Sequence, residues 1–266
     1  MFLEAIDKAL LAGDFGPAAQ RAMRLLQRYG EALGAARFID IASAHIDSCL
    51  YHGRSGLDFV RYLQSGDGQV RVRTTLNVTA FDLDKPELSR VSEEAVRIQR
   101  DMVDAYLRLG CLPTMTCAPY QQAQRPGFGE HIAWAESNAI VFANSALGAR
   151  SDRYGDFTDL CAALTGRVPE AGLHRSENRR ARLVLRVPEP EACDLDRDLW
   201  FACLGYALGE IARDRVAVIV GAPPDTTEDE LKALGAAAAS SGSVALFHVL
   251  GVTPEASSLE EVLDKQ

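Results

Sequence analysis

Apolar positions along this chain recur with two alternating periods. From Pro17 to Leu33 the apolar residues Ala18, Met23, Leu25, Leu26, Tyr29 and Leu33 keep helical spacing, and the first fifteen residues read as a shorter amphipathic helix. RFIDIASAHI (37–46) then reads as a strand that ends in polar residues, SGLDFVRYLQ (55–64) as a helix, and VRVRTTLN (70–77) as a strand. A long amphipathic stretch, Ser92 to Leu109, precedes the short run CLPTMTCAPY (111–120). From about Gly129 to Leu147 the density of Ala and Ser predicts a buried helix, with His131, Trp134, Ala135 and Asn138 on one face.

The second half repeats the alternation. ARLVLRV (181–187), RVAVIVG (215–221) and SVALFHVLGV (243–252) read as strands, the last two apolar enough for a sheet covered on both faces. LWFACLGYALGEIA (199–212) reads as a helix, and Thr226 with Asp229 three residues on opens another that stops at Gly242. Alternation of this kind predicts an α/β fold with mostly parallel sheet. The division expected from composition falls where prolines and acidic residues cluster after Val187, giving parts 1–187 and 188–266.

Composition narrows the functional classes. The chain is 47% hydrophobic and 24% charged, which fits a globular protein and not a disordered or fibrous one. A net charge of −9 argues against a nucleic-acid partner, because phosphate binding wants clustered cations. The most apolar runs, Val216–Pro224 and Val244–Val252, are about half the ~20 residues of a membrane span, so no membrane partner is expected. The acidic residues Glu4 and Asp7 inside the first apolar stretch argue against a signal peptide, so a cytoplasmic location is expected. The six cysteines then read as free thiols or metal ligands, and none forms a CxxC pair.

Four polar clusters fall at predicted strand ends and helix starts, where α/β proteins place their sites. They are Ser43-Ala44-His45-Ile46, Thr74-Thr75-Leu76-Asn77, Thr116-Cys117-Ala118-Pro119-Tyr120 and Gly127-Phe128-Gly129-Glu130-His131. Each has a structural reading beside the functional one. A Ser-His pair can be a satisfied hydrogen-bonding group, and paired threonines suit a strand. A cysteine before Ala-Pro can be an inert buried thiol, and the glycines can shape a tight turn. Together they favour an enzyme without naming its reaction.

The strings SAHIDSCLYHGRSGLDF (43–59), TTLNVTAFDL (74–83), TCAPY (116–120), FGEHIAWAESNAIVFANSALGAR (128–150), GLHRSENRR (172–180) and LKALGAAAASSGSVALFHVLGVTPEA (231–256) resemble the aconitase X family, in order and over nearly the whole chain. The YHG and TCAPY variants look most like the bacterial members that dehydrate cis-3-hydroxy-L-proline to Δ1-pyrroline-2-carboxylate. Archaeal members dehydrate mevalonate 5-phosphate. The resemblance implies part of an aconitase-like three-layer α/β/α core and an iron–sulfur cluster, 2Fe-2S or 4Fe-4S, whose open iron assists loss of hydroxide from a small hydroxy acid.

Carried over position by position, Cys117 is the implied cluster ligand. Ser43, Thr75 and Asn77 line the substrate pocket, with His174 and Arg179 as further pocket residues. His45, Glu130 and His131 take the catalytic roles. Arg73 stands before TTLN where the family pattern has Pro. The remaining cluster cysteines and the small swivelling domain or subunit are expected outside these 266 residues, as partners that complete the site. Two other readings stay open: a non-catalytic subunit that keeps the fold, and a metal-independent hydrolase with Cys117 as nucleophile and His45 or His131 as base.

Overall fold

The computed structural model of the chain describes residues 1–47, 49, 53–123, 125–155, 157–193 and 195–264. In chain order the elements are α1 (Ala5–Ala12), α2 (Pro17–Ala32), β1 (Phe38–Asp40), β2 (Ser43–Ile46), α3 (Arg54–Gln64), β3 (Arg73–Leu76), α4 (Glu93–Arg108), β4 (Ala133–Trp134) and α5 (Ser137–Ser145). They continue with α6 (Thr158–Thr165), β5 (Arg167–Pro169), β6 (Leu183–Arg186), α7 (Arg197–Ala212), β7 (Ala217–Val220), α8 (Glu228–Ser241), β8 (Phe247–Val249) and α9 (Leu259–Val262). The chain divides into two compact units. One comprises Met1–Pro119, His131–Glu136 and Tyr154–Ala171; the other comprises Tyr120–Glu130, Ser137–Arg153 and Gly172–Gln266.

The first unit is built on a three-stranded parallel sheet of order β3-β2-β4. Ser43 pairs with Arg73 and Ile46 with Leu76, while His45 faces Trp134 on the other side. All four residues of β2 are buried, which makes it the central strand of the unit. Leu10, Met23, Leu26, Phe38, Leu63 and Tyr106 belong to one apolar core with β2's Ile46. A separate antiparallel pair, β1 with β5, carries Arg167. This buried guanidinium bonds Asp7 at 2.9 Å, Glu4 at 2.9 Å, Asp40 at 2.6 Å and the Phe38 carbonyl at 3.2 Å. A charge taken out of water needs such a complete set of partners, and here the set ties α1 to the strand pair.

The second unit holds a parallel sheet of order β6-β7-β8, with crossovers through α7 and α8. The two helices touch where glycines let them. A Cβ on Gly205 would stand 2.2 Å from the Leu234 carbonyl oxygen, and one on Gly209 would stand 2.0 Å from Ser241 Oγ. Thr227 caps α8 and shares a capping box with Glu230, one residue beyond the expected Thr226 and Asp229.

The α/β class and the parallel sheets agree with the sequence pattern. Two elements do not. RFIDIASAHI is two strands: Phe38–Asp40 pairs antiparallel with β5, and Ser43–Ile46 enters the parallel sheet, so the Ser-His cluster lies inside a strand and not after one. The helix expected over 129–147 begins only at Ser137. Ala133–Trp134 instead joins β2 as a strand, so His131, Trp134, Ala135 and Asn138 share no helix face. Tertiary pairing overrode the helix preference of Ala and Ser, because β2 otherwise lacks a neighbour on that edge.

The close helix contact gives a direct test. Gly205→Ala drives a methyl into backbone that cannot move aside, so urea unfolding should show a loss of about 1–3 kcal/mol. Unchanged stability would show that α7 and α8 do not need this approach.

Candidate functional site

In parallel α/β sheets, ligands collect beyond the carboxyl ends of the strands. In the first unit, β2 leaves that end as Asp47 and β3 as Asn77. The Asn77 side-chain amide donates to the Asp47 carboxylate, its carbonyl oxygen accepts from Val78 N at 2.7 Å, and its backbone N–H bonds the Ile46 carbonyl at 2.9 Å. The backbone N–H of Asp47 is held by Asp159 Oδ2 at 3.2 Å.

The segment before Cys117 tracks the free edge of β3. Leu112 N donates to the Thr74 carbonyl at 2.8 Å, and the Thr114 hydroxyl donates to the Leu76 carbonyl at 2.9 Å. Met115 adopts a left-handed backbone (φ 46°), and Thr116 N then reaches the Leu76 carbonyl at 3.4 Å. Cys117 therefore emerges at the same end as Asn77, and it is exposed. Val78, Thr79, Asp82, Asp84 and Met115 line a cavity of about 510 Å³ at this end.

Beneath it lie Ser43, His45 and Thr75, all buried. Ser43 Oγ accepts from Trp134 Nε1 at 3.3 Å, and His45 Nδ1 lies 2.8 Å from Thr75 Oγ1. The imidazole packs edge-on to Trp134 with its centroid 6.1 Å away, and among the described residues Nε2 lies within good hydrogen-bond geometry of none. Burial holds the His45 pKa down at about 4, and the Thr116 carbonyl offsets this only partly. His45 is thus neutral at neutral pH. It braces the sheet next to the segment that carries Cys117.

Of the remaining candidates, His131 belongs to the first unit and three belong to the second. The His131 carbonyl accepts from Ala42 N at 2.9 Å, which places His131 at the amino end of the sheet, opposite Cys117. Glu130, His174 and Arg179 belong to the second unit. Glu130 is exposed and caps a turn through Gly127 N at 2.9 Å. His174 is buried, and its carbonyl accepts from Arg150 at 3.0 Å. Arg179 is buried and every nitrogen of its guanidinium is engaged: Nε at 2.9 Å and Nη2 at 2.5 Å from Glu255, Nη1 at 3.2 Å from Asn144 Oδ1 and Leu173 O, and Nη2 also at 3.1 Å from Asn144 O. Tyr51 and His52 of the YHG string lie outside the described residues.

Sequence reasoning missed Asp47 and Glu136. Asp47 directly follows the SAHI strand, and Glu136 was hidden by the mistaken helix; its neighbour Ala135 donates to the His45 carbonyl at 3.2 Å. All six cysteines are free. Burial pushes the Cys49 thiol up to about 12, and it raises Cys111 and Cys161 likewise, so these three stay protonated. Among the described residues no group of three or more His, Cys, Asp or Glu side chains is placed to hold a metal ion, and no helix is long and apolar enough to cross a membrane.

Comparisons with known proteins cover the whole chain. A family model described as the aconitase X first domain matches residues 1–177, and one described as the aconitase X second domain matches 181–266. A cis-3-hydroxy-L-proline dehydratase of Pseudomonas aeruginosa is 45% identical over 97% of this chain and 44% of its own length. A phosphomevalonate dehydratase large subunit of Methanothermobacter thermautotrophicus is 41% identical over 96% of this chain and 63% of its own length. The crystal structure of Thermococcus kodakaraensis aconitase X in its holo-form matches with a TM-score of 0.88 and 37% identity, over 100% of this chain and 65% of that one. The chain spans 44% of the length of the two cis-3-hydroxy-L-proline dehydratases that it matches, and 63–67% of the phosphomevalonate dehydratase large subunits.

The depressed His45 pKa sets a pH dependence. The unfolded chain binds this proton below about 6.5, the folded chain only near 4, so stability falls as pH drops through that window. The full effect is about 3 kcal/mol, with His248 lowered in the same direction. Urea unfolding at pH 7 and pH 4.5 measures it, and His45→Gln should flatten the profile. An equal loss in the variant would assign the dependence to other groups.

Proposed function

Because the chain belongs to the aconitase X family, we propose that it forms part of a hydro-lyase that removes water from cis-3-hydroxy-L-proline. The observation that carries this reading is the exposed Cys117 at the carboxyl end of β3-β2-β4, the end at which the Asp47–Asn77 pair also lies, in a chain 43–45% identical to two dehydratases of that name. Phosphomevalonate dehydration is the second reading, supported by relatives at 33–41% identity.

Elimination of water needs help for a poor leaving group and a base for a weakly acidic carbon. This chain supplies an amide (Asn77) and carboxylates (Asp47, Glu136) at the strand ends to orient the substrate and hold a proton. Neutral His45 keeps the strands in register underneath. The family implies an iron–sulfur cluster, and these residues do not fit one by themselves. Cys117 is a single accessible thiol in its unit, while Cys49, Cys111 and Cys161 are buried and protonated. A cluster on Cys117 therefore needs ligands beyond the described residues of the first unit, and the relatives' large-subunit names support a small-subunit partner.

The test uses the native protein that contains this chain, purified anaerobically. It should convert cis-3-hydroxy-L-proline to Δ1-pyrroline-2-carboxylate, and Cys117→Ser should lower iron content and reduce turnover by about a hundredfold or more. Full iron and activity in the variant would show that Cys117 only packs. Turnover of mevalonate 5-phosphate in place of the proline would establish the second reading.

A further inference from the structure

The second unit has a cavity of about 250 Å³ at the amino end of its parallel sheet, opposite the end where such sheets collect their substrates. Arg182 and Val216 immediately precede β6 and β7, and Arg182 N bonds the Val216 carbonyl at 2.9 Å. The wall carries Arg153, Arg180, Arg182 and Arg215, with Asp152 and Asp214 among them. All of these except Asp152 are exposed. The chain reaches Asp214 and Arg215 through Arg213, a non-glycine residue at φ 58°, a strained turn that puts both on the wall.

What sets these arginines apart is how they are held. Elsewhere carboxylates take the guanidinium groups, as Glu170 does for Arg37, Asp101 for Arg61 and Glu228 for Arg125. Three of the cavity arginines are tied to neutral carbonyls instead. Arg153 Nη1 donates to the Ser243 carbonyl at 2.6 Å, and Arg180 Nη1 donates to those of Glu261 at 3.2 Å and Leu263 at 3.4 Å. Arg215 caps α7, with Nε 3.2 Å from the Ala212 carbonyl and Nη2 2.7 Å from that of Ile211. A carbonyl fixes a guanidinium in place without cancelling its charge, and the other N–H groups of the fork stay available. Arg182 is paired with Asp264 at 3.1 Å. Asp152 accepts from the backbone N–H groups of Arg153 and Leu173. The Asp214 side chain has no hydrogen bond or ion pair among the described residues.

We propose that this cavity binds inorganic phosphate as the hydrogen phosphate dianion, its bare oxygens held by Arg153, Arg180 and Arg215 and its P–OH donating to Asp214. Three forks from separate segments call for a tetrahedral anion, because one fork already fills a planar carboxylate. A carboxylate among the arginines repels any anion that brings no proton, and it accepts a hydrogen bond from one that does. Sulfate brings none. A phosphate ester, with its second pKa at about 6, has lost its proton above neutral pH. The site therefore selects the free ion over phosphorylated substrates, and it stands or falls independently of the lyase reading.

Calorimetric titration of the native protein that contains this chain, at pH 8, with inorganic phosphate, sulfate and glycerol 1-phosphate tests it. Phosphate should bind saturably, and sulfate and the ester at least about tenfold more weakly, the worth of one hydrogen bond to a charged group. Asp214→Asn should bring sulfate within about threefold of phosphate, since an amide donates as readily as it accepts. Arg153→Gln should weaken phosphate by about tenfold, the loss of one charge-assisted contact. In the unmutated protein, phosphate should protect Arg153 and Arg180 from phenylglyoxal, mapped by mass spectrometry, a readout independent of how the variants fold. Absence of saturable phosphate binding, sulfate or the ester binding as tightly as phosphate, an unchanged preference in Asp214→Asn, unchanged affinity in Arg153→Gln, or full labelling of both arginines under saturating phosphate would each overturn the proposal.

Discussion

A central strand buried on both faces cannot carry polar side chains unless each finds a partner in the protein. In the first unit, β2 carries Ser43 and His45 in that position, and the sheet is arranged around satisfying them. Thr75 of β3 takes His45 Nδ1, and Trp134 of β4 donates to Ser43. Both flanking strands are thereby fixed to β2 by side chains as well as by backbone ladders. A strand slip of one residue would turn these groups to the wrong face, so the same bonds set the register. That register decides that Asp47 and Asn77 leave the sheet side by side.

The constraint also explains what each end of the sheet can do. At the carboxyl end the chain turns through short polar segments, and the bonds of Thr114 and Thr116 to Leu76 bring Cys117 there. At the amino end, His131 is held by its backbone to Ala42. An exposed thiol at the strand end where Asn77 and Asp47 leave the sheet is chemically useful; the three buried cysteines, with raised pKa values, serve the core.

Much of the fold was legible because long amphipathic helices announce themselves. The expected stretches 17–33, 55–64, 92–109 and 199–212 each contain a helix within a residue or two of its predicted ends. What stayed hidden was short and decided by neighbours. A two-residue strand such as Ala133–Trp134 has no period of its own, and only pairing with β2 defines it. The site was partly legible for the same reason. Ser43, His45 and Thr75 belong to one sheet, with Asn77 and Cys117 at its carboxyl end in the same unit, whereas Glu136 sat on a wrongly assigned helix. Arg179 was implied by the resemblance as a further pocket residue. Its engagement by Glu255 and Asn144 spans 76 and 35 residues of chain, which no local pattern reveals.

The account rests on Cys117 being the thiol that the sheet presents for chemistry. A mass-spectrometric map of cysteine alkylation, made on the native protein before and after anaerobic loading with iron and sulfide, addresses this directly. The account predicts rapid labelling of Cys117 beforehand, slow labelling of Cys49, Cys111 and Cys161, and protection of Cys117 after loading. A Cys117 that resists alkylation from the start, or that labels equally well after iron has bound, would contradict it.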